Sequence, residues 1–481
     1  MGQIQPDRPV HSIATGFDPS WSHPWMPSLR RIRSTKYMNQ ILIIGAGRSA
    51  SSLIQYLIQH ANAGEWHITI ADQNAAHAVE MASIGADVAA GVALDASNAV
   101  DRKALIAKHD LVISMLPATM HMAVVKDCIA LRKHVITPSY VPNELWALDA
   151  EIKAAGIIAL NELGLDPGID HMSAMRILDR IRNQGGRIEA FESHTGGLVA
   201  PESDNNPWNY KFSWNPRNVV LAGQGGAAMY IRDGRTKYIP YHKLFQQTQP
   251  VSVPDYGAFD AYANRDSLKY RSIYGLEKIP TLLRGTLRKA GYCAAWDVFV
   301  QLGCTDDSYK MELGPTATWT DYLNAFLPQG VSPDIRTNLA SYIGPLLTAE
   351  VMGKLEWLGL FDDAPIGVDR LSPAATLQSL LERKWVLGPE DKDLVVMWHR
   401  FVYELGGKKH EIQASLAVEG QDQRYTAMAK TVGLPVGIAA KMVLNGTITE
   451  RGVMLPLTPS IYDTILNELE ELGVVFKEVE I

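Results

Sequence analysis

The chain has 481 residues, 47% of them apolar, which is more than one compact core holds and sets an expectation of two or three domains. A formal net charge of −7, from 45 basic and 52 acidic residues spread along the sequence, provides neither a basic surface for nucleic acid nor an acidic tail, so small-molecule partners are expected. Three irregularly spaced cysteines, Cys128, Cys293 and Cys304, exclude a disulfide framework or a thiolate metal site and fit the cytoplasm; no apolar run approaches the roughly 20 residues that span a bilayer, so no membrane partner is expected.

Residues 1–37 mix Pro, Ser, Arg and Trp without period and read as an irregular extension, with Met38 an alternative start; Arg30, Arg31 and Arg33 lack the amphipathic setting of a targeting peptide. From Gln40 to Leu160, short apolar runs (Ile41–Ile44, Ile68–Ala71, Leu111–Leu116, His134–Thr137) alternate with helical stretches such as Ser51–His60. This is βαβ grammar, and near-continuous apolar strands imply a parallel, doubly wound α/β sheet over residues 38–165. Residues 166–304 change to Gly, Pro, aromatic and charged texture with strand-like pieces at Ile188–Ser193 and Val219–Ala222, an α+β domain. Residues 305–385 carry helical spacing, for example over Ser341–Leu358, and read as a helical insertion. Leu394–Tyr403 and His410–Val418 alternate about Gly406-Gly407 as paired strands, and Tyr425–Leu444 and Pro459–Leu472 read as helices.

The first functional signal is Gly45-Ala46-Gly47-Arg48-Ser49-Ala50, which follows an apolar strand and opens an apolar helix. Gly45 permits the turn, Gly47 lets the backbone approach a pyrophosphate at the helix N-terminus, and Ala50 keeps helix and strand close. The next strand ends at Asp72, where a carboxylate can accept from both adenosine ribose hydroxyls and would repel a 2′-phosphate; NAD is therefore expected over NADP. The strand ending at Ser114-Met115-Leu116-Pro117 fits the ligand crevice.

The run Asn161-Glu162-Leu163-Gly164-Leu165-Asp166-Pro167-Gly168-Ile169-Asp170-His171 strongly resembles the glutamate-forming saccharopine dehydrogenases, also called saccharopine reductases. The likeness continues through Gly196-Gly197-Leu198, Asp204-Asn205-Asn206-Pro207, Tyr210-Lys211-Phe212-Ser213-Trp214, Asn264-Arg265-Asp266-Ser267, Arg284-Gly285-Thr286-Leu287-Arg288 and Leu444-Asn445-Gly446-Thr447-Ile448. The resemblance implies a Rossmann domain completed by residues 425–481, an α/β substrate and dimerisation domain completed by 386–424, a homodimer, and a helical insertion. It places cofactor contacts at Ala46, Gly47, Arg48, Ser49, Asp95, Leu116, Pro117 and the Asp166-Pro167-Gly168 turn. Saccharopine would meet Ser139, Tyr140, Asp166, Arg265, Thr286, Leu287 and Arg288, and Arg284 would add to a cationic pocket for its three carboxylates, since guanidinium forks bind carboxylates well.

The implied reaction is oxidative cleavage of saccharopine to glutamate and 2-aminoadipate 6-semialdehyde, with Asp166 and Tyr140 the candidates for proton transfer. Alternatives are a dehydrogenase of a carboxylated polyamine and a non-catalytic dinucleotide sensor. His171 and His194 read as hydrogen-bonded packing, and no His or Cys spacing suggests a metal. The sequence departs from the family pattern at Asp72, where fungal members carry Arg, at Thr195 in place of Cys, and at Ala118 in place of Tyr.

Overall fold

The computed structural model describes residues 38–61, 66–330, 332–367 and 371–481. The readings made for residues 1–37 lie outside the described residues. Six parallel strands come first: β1 (Asn39–Ile44), β2 (Trp66–Asp72), β3 (Ala89–Ala93), β4 (Leu111–Ser114), β5 (His134–Ile136) and β6 (Ile158–Leu160). On β1, Ile41 and Ile43 join one apolar cluster while Leu42 and Ile44 join another, because helices cover both faces of the sheet.

The second sheet is mixed. It is built from β7 (Arg187–Val199), β8 (Ala228–Arg232), β9 (Arg235–Ile239), β10 (Gln249–Val253), β11 (Gly257–Ala263), β12 (Thr281–Lys289), β13 (Asp393–Leu405) and β14 (Lys408–Glu419). Two late strands return to the two sheets: β15 (Gly452–Met454) pairs in parallel with β6, and β16 (Phe476–Glu480) pairs antiparallel with β14. The first sheet therefore runs β15-β6-β5-β4-β1-β2-β3 and the second β10-β11-β12-β7-β13-β14-β16. In the first, strand order reverses between β1 and β4, which leaves a crevice at their carboxyl ends. The expected hairpin forms, with Leu405 opposite Lys408 across Gly406-Gly407.

Two local readings are corrected. Val219–Ala222 belongs to no strand: Val219 and Val220 lie in the helix Pro216–Leu221, with Asn215 accepting from the Arg217 N–H and proline at the first position. That cap and that proline outweigh the β preference of two valines. The helical spacing over Ser341–Leu358 is broken at Gly344-Pro345 into Ile335–Ile343 and Ala349–Leu358, the second capped by Thr348. Ala427–Leu444 is apolar and long enough to cross a membrane, but 78% of it is buried, packed on Ser51–Ala61.

Candidate active site

At the switch point the carboxyl ends of β1, β4, β5 and β6 face a cavity of about 740 Å³. One wall comes from Gly47–Ala50, Met115–Ala118, Ser139, Tyr140 and Gly164–Pro167; the other from Thr195 on β7, Thr286 and Arg288 on β12, Trp214–Pro216, Asn218 and Glu382.

The glycine turn is held by main-chain contacts. Gly45 has φ +99°, its N–H donates to the Ala71 carbonyl at 2.8 Å, and a Cβ there would stand 3.0 Å from the Met115 oxygen. Ala46 and Ala50 are buried beneath the turn, and a Cβ on Gly47 would meet no atom within 4 Å. Main chain at Gly47, Arg48 and Ser49 is thus presented to open space at the start of Ser51–Ala61, a geometry that fits a diphosphate. The Arg48 side chain crosses to the Phe212 carbonyl at 3.2 Å.

Asp72 does something other than expected. Its Oδ2 accepts from the Ala46 N–H at 2.8 Å and its Oδ1 from the Asn74 N–H at 2.9 Å, so the carboxylate braces the glycine turn. Asp95, exposed beyond β3, accepts from Ser97 and lies outside the cavity wall.

A buried polar group forms where the turn after β6 meets β12. Gly168, at φ +149°, packs so tightly that a Cβ would lie 2.1 Å from the Gly164 oxygen, and this close approach carries Asp166 and Asp170 to the same side. Arg284 donates to Asp166 Oδ1 and to Asp170 Oδ2, both at 2.6 Å, and its guanidinium carbon stands 4.4 Å from the Tyr270 ring centre. Tyr140 donates to Asp166 at 3.0 Å. Burial pushes the Asp166 carboxyl above its usual range against the field of Arg284, with Asp170 adding to the rise, while Asp170 is held below its usual range by His171 and Arg284 despite burial. The phenol of Tyr140 is held well above its ordinary value by desolvation and by Asp166. The two carboxylates are thus pushed in opposite directions, Asp170 towards its ionised form and Asp166, at the cavity, towards higher proton affinity.

The arginines foreseen as substrate ligands divide three ways. Arg288 lines the cavity, 4% exposed and ringed by Tyr210, Tyr262 and Tyr292 at 5.3–5.9 Å. Its Nη1 donates to the Leu287 carbonyl, its Nε has no partner, and among the described residues no carboxylate lies within ion-pair distance. Arg284 sits behind Asp166, outside the lining. Arg265 is exposed and donates to the Leu221 and Gln224 carbonyls at 2.7 and 2.6 Å, closing the end of Pro216–Leu221; it does not reach the cavity wall. Thr286 faces the cavity and bonds Asn264, whereas Leu287 alternates to the opposite face and packs with Leu198 and Phe259.

Ser139 is bonded to His121 Nε2 at 2.7 Å, and His121 Nδ1 meets Ser114 Oγ at 2.8 Å; burial pulls this imidazole down to about 4, leaving it neutral. His121 and Asp170 were not foreseen as site residues: Asp170 lies within the family-like run Asn161–His171, which could have drawn attention to it, whereas nothing in the local sequence of His121 marks it, and each acts through partners distant in the chain. His171 and His194 are both fully buried outside the cavity wall.

A glycine turn at the switch point of a doubly wound sheet, facing a carboxylate of raised proton affinity and a buried arginine, fits a dinucleotide-dependent oxidoreductase. Residues 41–160 match the profile described as the saccharopine dehydrogenase NADP binding domain, and residues 164–474 that of the saccharopine dehydrogenase C-terminal domain. The chain belongs to the saccharopine dehydrogenase family. It is 37% identical over 406 residues to the saccharopine dehydrogenase [NADP(+), L-glutamate-forming] of Pyricularia oryzae, covering 82% of this chain and 90% of that one. It is 34% identical to the Saccharomyces cerevisiae enzyme of the same name, covering 91% and 98%. The solved apo form of saccharopine dehydrogenase (L-Glu forming) from Saccharomyces cerevisiae superposes with TM-score 0.82 at 33% identity, covering 92% of this chain and all of that one.

The expectation of NAD is corrected by these findings. The matched domain is described as NADP binding and the relatives are named for NADP(+). Asp72, on which that expectation rested, accepts the main-chain N–H groups of Ala46 and Asn74 and so is engaged in holding the glycine turn.

Proposed function

We propose that this chain catalyses NADP(+)-dependent oxidation of saccharopine to glutamate and 2-aminoadipate 6-semialdehyde, a reversible step of lysine metabolism, as a homodimer. The observation that carries the substrate assignment is Arg288, a buried guanidinium with no carboxylate partner among the described residues, in a cavity shared with the glycine turn. A buried charge left unpaired is costly, so the site is completed by an anionic ligand.

Held with its diphosphate at Gly47, Arg48 and Ser49, NADP(+) would supply the hydride acceptor. The protein's part is positioning and proton handling. Arg288 and Thr286 hold a substrate carboxylate on β12, while Asp166, with its raised proton affinity, takes the proton from the secondary amine as the carbon–nitrogen bond is oxidised. Tyr140 keeps its own proton and orients Asp166 by donating to it. Once Asp166 has passed that proton to solvent, it takes one from the water that adds to the protonated imine, and the carbon–nitrogen bond of the resulting carbinolamine breaks to give the semialdehyde and the amine of glutamate.

Incubation of the purified protein with saccharopine and either cofactor, followed by the absorbance of reduced nicotinamide, tests the reading. The expected result is saccharopine-dependent reduction, faster with NADP(+) than with NAD. Background rates with saccharopine alongside oxidation of a carboxylated polyamine would overturn the substrate assignment.

A further inference from the structure

Behind the cavity wall a second set of ionisable groups is bonded into the first. Glu162 is 1% exposed and His171 fully buried. The Glu162 carboxylate accepts from the Val141 N–H at 2.9 Å, from His171 Nε2 at 2.7 Å and from the Tyr270 hydroxyl at 3.1 Å, and the Glu162 N–H donates to the Ser139 carbonyl at 3.1 Å. Glu162 therefore grips the residues on both sides of Tyr140. His171 Nδ1 lies 2.5 Å from the Tyr274 hydroxyl and 3.5 Å from Asp170 Oδ2, and Asp170 accepts from the Gly168 N–H at 2.7 Å and from Arg284.

The connection from Glu162 to the cavity thus runs two ways: through the backbone of Ser139–Val141 to the Tyr140 hydroxyl, and through His171, Asp170 and Arg284 to the Asp166 carboxylate. Glu162 itself has φ +57°, a left-handed conformation that strains a side-chain-bearing residue and persists only when its surroundings over-determine it. Fold stability alone does not call for such a cluster, since apolar residues of similar volume pack a core as well or better than buried ion pairs. What the hydrogen-bonded cluster adds is a fixed geometry at Tyr140 and Asp166.

We propose that Glu162 and His171 are positioning residues for the reaction, holding the Tyr140 hydroxyl and the Asp166 carboxylate together from behind so that a proton leaves the substrate along one line. This rests on the reading of the cavity as the saccharopine site. Asp166 is faced by Arg284, Asp170 and Tyr140, with His171, Tyr270, Tyr274 and Glu162 behind them, Lys269 bonded to the Val141 carbonyl, and His399 bonded to Ser173. In this arrangement the field of His171 lowers the proton affinity of Asp166, opposing burial.

The test uses the full-length protein with saccharopine and NADP(+). Glu162→Gln is expected to lower kcat by about tenfold with KM changed by less than about threefold, because the reacting groups lose alignment while Arg288 still holds the substrate. His171→Gln is expected to move the limb of the kcat profile governed by Asp166 to higher pH. Tyr270→Phe removes a single hydroxyl donor to Glu162 and is expected to give a smaller loss in kcat with the melting temperature preserved. Wild-type kcat and pH profiles in folded variants would overturn the positioning role, as would unfolded Glu162 and His171 variants accompanied by a kinetically normal Tyr270→Phe. A wild-type protein inactive on saccharopine would overturn the functional reading, and the positioning role with it.

Discussion

Beyond β1 and β4 the cavity is bounded by two short, continuous stretches, Gly47–Ala50 and Met115–Ala118, whose main chain does the work. The rest of the site is shaped by side chains from elements far apart in sequence: Asp166, on the turn after β6, is held from behind by Arg284, 118 residues away, and across the crevice Thr195 stands beside Thr286 on neighbouring strands. The first wall depends on backbone conformation, so its signature is glycine and small residues at fixed spacing. The second depends on charge, and the fate of each charge is set by what packs against it: Arg288 is left unpaired, Arg284 is shared by two carboxylates, and Arg265 closes a helix end. Substitutions on the two walls should therefore fail in different ways.

The largest effect is expected at Asp166. Asp166→Asn should lower kcat by roughly 10²–10⁴ through loss of proton transfer. The sign of the pH dependence follows from the raised proton affinity of Asp166: oxidation requires the ionised carboxylate, so wild-type activity falls as pH drops through that raised value, and this limb should vanish from the variant's profile. Next comes Arg288→Ala, expected to weaken substrate binding by roughly 2–4 kcal/mol, read as a raised KM with a smaller change in kcat. A KM equal to that of the wild type would remove the distinction between an unpaired and a paired arginine on which the comparison rests.

Asp72→Ala belongs to the other wall. It leaves the Ala46 and Asn74 N–H groups without their acceptor and should lower folding stability by roughly 1–2 kcal/mol in denaturant titration. The smallest effect is expected at Arg265: Arg265→Ala should leave the KM for saccharopine close to wild type and cost about 0.5–1 kcal/mol of stability from the two carbonyl contacts. A large rise in KM would return Arg265 to the substrate wall.

The alternating strands and helices of residues 38–165, the glycine turn and the Gly406-Gly407 hairpin could be read directly, because each depends on neighbours within a few residues or on a repeating apolar pattern. Val219–Ala222 was misread because an asparagine cap and a proline just upstream decided in favour of a helix. The eleven residues Asn161–His171 identified the family by resemblance, yet their order says nothing of Glu162 bonding His171 or Asp170 sharing Arg284.

By itself, then, the sequence determined where the glycine turn lies and which family the chain belongs to, since both reside in contiguous residues. Only the tertiary structure decided that Asp72 braces the turn, that Arg288 alone of three foreseen arginines lines the cavity without a carboxylate partner, and that Asp166 is backed by a buried charge network. Those outcomes depend on burial and on partners supplied by other strands, and a side chain's charge acquires its role from the distance to the next charge, which residue order does not encode.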